Sequence, residues 1–136
     1  MIVKFTVPGE PVGKGRPRFT RSGHTYTPDK TRDYEEAVRW SYRSASQQCI
    51  ESEAVGVLIY AYYKIPKSAS KADREKMLKG DIRPKKKPDI DNISKAVLDA
   101  LNGLAYKDGA QIVYLCVTKS YSDEPRVDVT LNEVNG

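Results

Sequence analysis

The chain of 136 residues is short of the side chains that usually build metal centres and covalent catalysis. It has one histidine and two cysteines. His24 stands alone in a loop and is assigned no role. Cys49 and Cys116 are far apart and lack a short metal-binding spacing, so both are expected to be reduced, packed thiols of a cytosolic protein. No apolar run approaches the roughly 20 residues of a bilayer span, and no signal-peptide pattern is visible. Internal repeats are lacking too. Membrane and secreted classes are therefore not expected, and one domain over residues 1–136 is, large enough to bury a core without staples.

Acidic excess is also lacking. Lys and Arg total 23 against 18 Asp and Glu, a net charge of +5 with a pI near 9.1. The excess is concentrated. Residues 67–87 carry nine cations and three acids, a net of +6, and residues 14–21 carry Lys14, Arg16, Arg18 and Arg21 with no acid. The remaining sequence is net negative. Charge gathered in this way points to an anionic polymer, nucleic acid above all.

The second basic segment, ending in Lys85, Lys86 and Lys87, runs straight into Pro88, Asp89, Ile90 and Asp91. An amphipathic pattern follows at helical spacing, with Ile93, Ala96, Val97, Ala100, Leu101 and Leu104 on one face. Asn92, Lys95, Asp99 and Asn102 take the other, and Gly103 marks the end. If residues 89–91 are extended, both carboxylates point to one side. Held so, they repel unless a proton or a cation joins them. A hard divalent metal on carboxylate oxygens is the usual resolution. Against this stands the plainer reading that Asp91 or Asn92 caps the helix and Asp89 is a solvated turn residue. The basic surroundings favour the metal, because a cation can bridge carboxylates to a phosphate.

The rest of the chain reads as α+β, with about four strands in one mixed or antiparallel sheet and helices packed on it. Residues 2–7 alternate as a strand. Residues 9–21 form a glycine-rich loop whose match to a phosphate-binding loop is poor, since Gly15 stands where Ser or Thr is required. A helix is expected over 28–48, capped by Thr27, with Tyr34, Ala37, Val38, Ser41 and Ala45 buried and Trp40 flanking the core. Residues 54–65 read as a strand, apolar or aromatic on both faces, that is either central and covered twice or laid against a second chain. Ser70 caps a short helix over 70–78 that Gly80 ends. After a turn at Asp108-Gly109, strands over 112–119 and 126–131 are expected to pair as an antiparallel hairpin.

Four stretches together carry a resemblance. Gly9-Glu-Pro-Val-Gly-Lys-Gly-Arg-Pro-Arg-Phe19, Lys87-Pro-Asp-Ile-Asp-Asn-Ile-Ser-Lys95, Asp99-Ala-Leu-Asn102 and Tyr106-Lys-Asp-Gly-Ala-Gln-Ile112 resemble the RusA-type Holliday junction resolvases of bacteria and prophages, over nearly the whole chain. The resemblance implies a cytoplasmic, homodimeric endonuclease that depends on Mg2+, or Mn2+ in its place, and nicks four-way DNA junctions symmetrically. It places Asp89 and Asp91 on the first two catalytic carboxylates and Lys95 on the essential lysine. One position departs. The family shows two consecutive aspartates before the x-Gln segment, the second a metal ligand, where this chain has Asp108 and Gly109. The expectation is that Asp108 serves as the third ligand, and that Lys14, Arg16, Arg18, Arg21, Lys85, Lys86 and Lys87 grip DNA.

Two other classes stay open on the sequence. Gly109 allows a structure-selective DNA-binding protein that cuts weakly or not at all. An RNA-binding module would use Tyr60, Tyr62 and Tyr63 as stacking platforms, which requires exposed aromatics on an open sheet face.

Overall fold

A computed structural model of the chain describes residues 1–16, 18–26 and 28–134, with only the backbone described for Arg18 and Tyr26. The expected helix cap Thr27 and the side chain of Arg18 lie outside the described residues.

Strand β1 (Ile2–Pro8) buries Val3, Phe5 and Val7 and turns Lys4 and Thr6 outward. The chain then passes through the glycine-rich loop and a two-stranded hairpin, β2 (Arg18–Phe19) and β3 (Thr25–Tyr26), before α1 (Asp29–Ala45). Strand β4 (Val55–Lys64), helix α2 (Lys71–Lys79), helix α3 (Ile90–Leu101), a single 3-10 turn over Gly109–Gln111, and strands β5 (Ile112–Ser122) and β6 (Arg126–Glu133) complete it. The four long strands form one mixed sheet in the order β1-β6-β4-β5. β6 is antiparallel to both neighbours, and β5 is parallel to β4.

That order corrects the expected hairpin. β5 and β6 are joined by a short turn, yet β4 lies between them and takes hydrogen bonds from both. Alternation assigns a strand's faces but not its neighbours. The decisive partner sits far back in the sequence.

On one face of β4, Val55, Val57, Ile59, Ala61 and Tyr63 are fully buried. Leu58, Tyr60 and Tyr62 on the other face are half-buried. β4 is therefore central but covered by helices on one side only. Helix α1 packs on α3 and β1. Its buried stripe is Thr31, Tyr34, Glu35, Val38, Ser41 and Tyr42, while Ala37 and Ala45 face outward. Trp40, expected beside the core, is 70% exposed. The stripe is set by Tyr42, whose ring meets Phe5 edge-on at 5.7 Å, a favourable aromatic geometry. Its hydroxyl donates to the Gln48 carbonyl, and Ser46 is extended, so the helix stops at Ala45.

Helix α2 is capped as expected. Ser70 accepts from the Asp73 amide at 3.1 Å, and Gly80 takes φ 87 after the last turn. The predicted apolar face of α3 is the buried one, with Ile93, Ala96, Val97, Ala100 and Leu101 in the core.

Candidate active site

The entrance to α3 is fixed by side chains that strap the basic linker to the sheet. Arg83 donates to the Lys119 carbonyl at 2.9 Å and to Ser120 Oγ at 2.7 Å. Lys119 Nζ donates to the Lys86 carbonyl at 2.6 Å, and the Tyr63 hydroxyl donates to the Pro88 carbonyl at 3.0 Å. Tyr63 can donate reliably. Burial, then the negative charges of Glu10 and Asp89, push its phenol up to about 12.

Asp89 is the extended N-cap residue of α3, but its carboxylate makes no cap hydrogen bond. Asp91 sits in the first turn. Both are exposed, and among the described residues neither carboxylate has a hydrogen bond or ion pair. The capping reading is thus not realised. Nor is the extended geometry, because the helix already begins at Ile90. Two exposed carboxylates at the positive end of a helix, without partners, are available to a cation. Lys95 is exposed one turn beyond Asp91, on the same face.

The glycine-rich loop closes on this helix. The Lys14 amide donates to the Asn92 carbonyl at 2.9 Å, and the Gly15 amide to Thr31 Oγ1 at 2.9 Å. A Cβ on Gly13 would lie 2.6 Å from Pro88 Cβ, and one on Gly15 2.8 Å from Thr31 Oγ1. Only glycine lets the loop approach so closely. Lys14, expected to reach DNA, points inward instead. Its Nζ sits 3.2 Å from Glu35 and 3.3 Å from Asp99, joining the loop to both α1 and α3. Burial lowers its ammonium's pKa, but the hydrogen bonds and charges of Glu35, then Asp99, outweigh this and hold it above its ordinary value.

Between loop and helices lies a cleft of about 540 Å3, lined by Arg16, Lys30, Thr31, Lys87 and Asn92 among others. It gathers cations from three separate segments. Lys30, one of several mixed charges at the start of α1, stands out by no sequence pattern. Arg21 is exposed nearby in the chain, on the β2–β3 turn, and Lys85 is exposed in the linker. Lys86 is partly engaged, with Nζ 3.7 Å from Glu10 and 5.5 Å from the centre of the Tyr63 ring.

Asp108 begins the 3-10 turn. Its Oδ1 accepts from the Ala110 amide at 3.1 Å, and Gln111 Oε1 accepts from the Asp108 amide at 2.9 Å. Gln111 Nε2 then anchors the turn to the Ile50 and Ser52 carbonyls. Gly109 does not have positive φ, and a Cβ there would meet nothing within 4 Å. Asp108 and Asp99 border a groove of about 560 Å3 with Val113, Tyr114 and Leu115. Asp91 borders a second groove with Leu115, Cys116 and Val117. Among the described residues no three acidic, histidine or cysteine side chains converge in one chain. Asp91 and Asp108 thus each border a groove that reaches β5, where Val113, Tyr114 and Leu115 are exposed.

A sheet backed by helices, with two unpartnered carboxylates at a helix entrance and a cleft of cations beside them, is an arrangement suited to phosphates. Residues 8–132 match the family model described as Endodeoxyribonuclease RusA, and the chain belongs to that family. It is similar to the uncharacterized protein YqaN of Bacillus subtilis (strain 168), with 44% identity over 138 residues, 98% of this chain and 97% of that protein. The family is one of Holliday junction-resolving endodeoxyribonucleases, and membership does not favour binding without cleavage. The fully exposed aromatics that the RNA-binding reading needs are not found among Tyr60, Tyr62 and Tyr63, the first two being half-buried. Tyr63 is buried, and Arg126 lies 4.1 Å from the centre of the Tyr62 ring. No helix is long and apolar enough to cross a membrane among the described residues.

Proposed function

We propose that the chain is a Mg2+-dependent endonuclease that resolves four-way DNA junctions in recombination and repair. The observation that carries this reading is the pair of unpartnered carboxylates, Asp89 and Asp91, at the strapped entrance of α3, with Lys95 one turn away. The donor set is oxygen only, which suits Mg2+, with Mn2+ as the alternative. Asp89, Asp91 and Asp108 are the residues that would hold the metal. When bound, such an ion supplies an activated water and stabilises charge on the scissile phosphate.

The chain's own residues do the rest. Lys95 places a positive charge beside the phosphate undergoing attack, where negative charge builds. Arg16, Lys30 and Lys87 hold a neighbouring backbone phosphate in the cleft, which positions DNA without reading sequence. The strap from Tyr63, Arg83 and Lys119 keeps Asp89 and Asp91 from moving with the linker.

A homodimer supports this arrangement. Among the described residues one chain does not gather three acids, whereas a second copy laid on the apolar β5 edge would cover Val113, Tyr114 and Leu115. It would also bring one chain's Asp108 towards the other's Asp89 and Asp91. A two-fold axis then matches a two-fold symmetric junction. The test is nicking of a synthetic four-way junction with and without Mg2+, by wild type and by Asp91→Asn. Cleavage should require the metal and vanish in the variant, while junction binding persists. Metal-independent nicking, or undiminished nicking by Asp91→Asn, would remove the site. Mixing inactive Asp91→Asn with inactive Asp108→Asn should restore partial activity if the acids are drawn from two chains.

A further inference from the structure

We propose that the β2–β3 hairpin is a base-stacking wedge, with Phe19 as the platform that receives an unstacked nucleobase of branched DNA. The proposal rests on the endonuclease reading above and adds a site to it.

Phe19 is 73% exposed. Every residue from 19 to 25 is exposed, so none of these seven contributes to the core. It is nonetheless well bonded. Phe19 pairs with Thr25 across the strands. The Thr20 amide donates to the His24 carbonyl at 2.7 Å, and the Gly23 amide to the Thr20 carbonyl at 3.0 Å. The His24 amide donates to Thr20 Oγ1 at 3.1 Å, and Gly23 takes φ 85 in the turn. A bonded hairpin that offers an aromatic ring to solvent forgoes the stabilisation of burying it.

Charge identifies the occupant. Residues 11–28 contain four cations and no carboxylate. A ring in that setting suits a polyanion that also presents an apolar aromatic face, which is nucleic acid with an open base. Arg16 lines the cationic cleft, and three residues of chain span at most about 11 Å. A phosphate in the cleft and a base on Phe19 therefore belong to the same short run of nucleotides. Linear duplex keeps its bases stacked, so Phe19 finds a partner only where strands part. Apolar wedges that unstack base steps are a known device of DNA-bending proteins, and a ring has no base preference because every base has a π-face.

The test measures metal-free binding by the full chain to three DNAs: a four-way junction with 2-aminopurine at the branch, a linear duplex, and oligo(dT) with one 2-aminopurine. Phe19→Ala should weaken junction binding by about tenfold, within the range of one base–aromatic stack. It should leave duplex binding within about twofold and abolish the fluorescence change at the branch; Phe19→Trp should preserve both. Equal weakening on junction and duplex, or no weakening on either, overturns the wedge. So does a change of oligomeric state in Phe19→Ala by sedimentation, which would make the ring a chain–chain contact. If wild type binds junction and duplex alike, the junction reading fails instead. The wedge is then decided on oligo(dT): loss of affinity in Phe19→Ala sustains it, and no loss ends it.

Discussion

Lys14 offers a sharp test of whether the glycine-rich loop is built or merely basic. Its ammonium bridges Glu35, which is 8% exposed, and Asp99, which is more open. Lys14→Met keeps the stem but removes the cation, leaving the buried Glu35 carboxylate without its partner. Stranding a charged acceptor costs about 1–3 kcal/mol. At this chain length about 2 kcal/mol corresponds to a fall in Tm of roughly 6–10 °C. The alkaline side provides an internal check. The folded-state pKa of Lys14 is raised above the ordinary 10.5, so its stabilisation is complete below that value and disappears as pH rises through the folded value. The gap in Tm between wild type and Lys14→Met should therefore narrow above pH 10.5. DNA binding supplies the opposing expectation. A lysine on a phosphate contributes about 0.9 to the slope of log K against log salt. Lys14→Met should leave that slope unchanged. An unchanged Tm together with a flattened slope would refute the strap and return Lys14 to the DNA.

The remaining predictions concern the loop and the third acid. Gly13→Ala forces a Cβ to 2.6 Å from the stiff Pro88 ring, and should cost about 1–3 kcal/mol by overpacking. A neutral melt would mean that the loop does not close on α3. Gly109→Asp should melt with wild type, because its Cβ meets open space and its φ is not positive; a loss of several degrees would contradict that geometry. Asp108→Asn should keep the turn, since asparagine caps as well as aspartate, yet lose Mg2+-dependent nicking. Retained nicking by Asp108→Asn, with a gain in Gly109→Asp, would assign the ligand position to residue 109 instead.

Much of this architecture was legible because local rules and tertiary packing agree. The alternation of β1 and β6, the Ser70 and Gly80 caps of α2 and the apolar face of α3 each follow from residues within one element. The misreadings came from contacts across elements. Trp40 and Tyr42 are both plausible core residues of α1 by spacing, and only the position of Phe5 on β1 selects Tyr42. The β5–β6 pairing was inferred from a short turn, but β4 takes the place between them. At the site, spacing marked Asp89 and Asp91 as a candidate carboxylate pair, and the resemblance to the RusA-type resolvases added Lys95 and the roles proposed for all three. Spacing could not show that Lys14 turns inward, because Glu35 and Asp99 reach it from two other helices. Nor could it show the cleft that Lys30 shares with Arg16 and Lys87, since three separate segments meet there.

The place of β6 has a consequence for how the molecule comes into being. This last strand bonds to β1 on one side and to β4 on the other, and Ile2 lies across from Asn132. A growing polypeptide that stops before Arg126 leaves the first strand detached and β4 with an open flank, so the sheet cannot be assembled piecemeal from the amino terminus. The core stays open until α3 and then β6 have joined it. The entrance of α3, strapped to β4 and β5 through Tyr63, Arg83 and Lys119, would settle only once β6 has docked against β4.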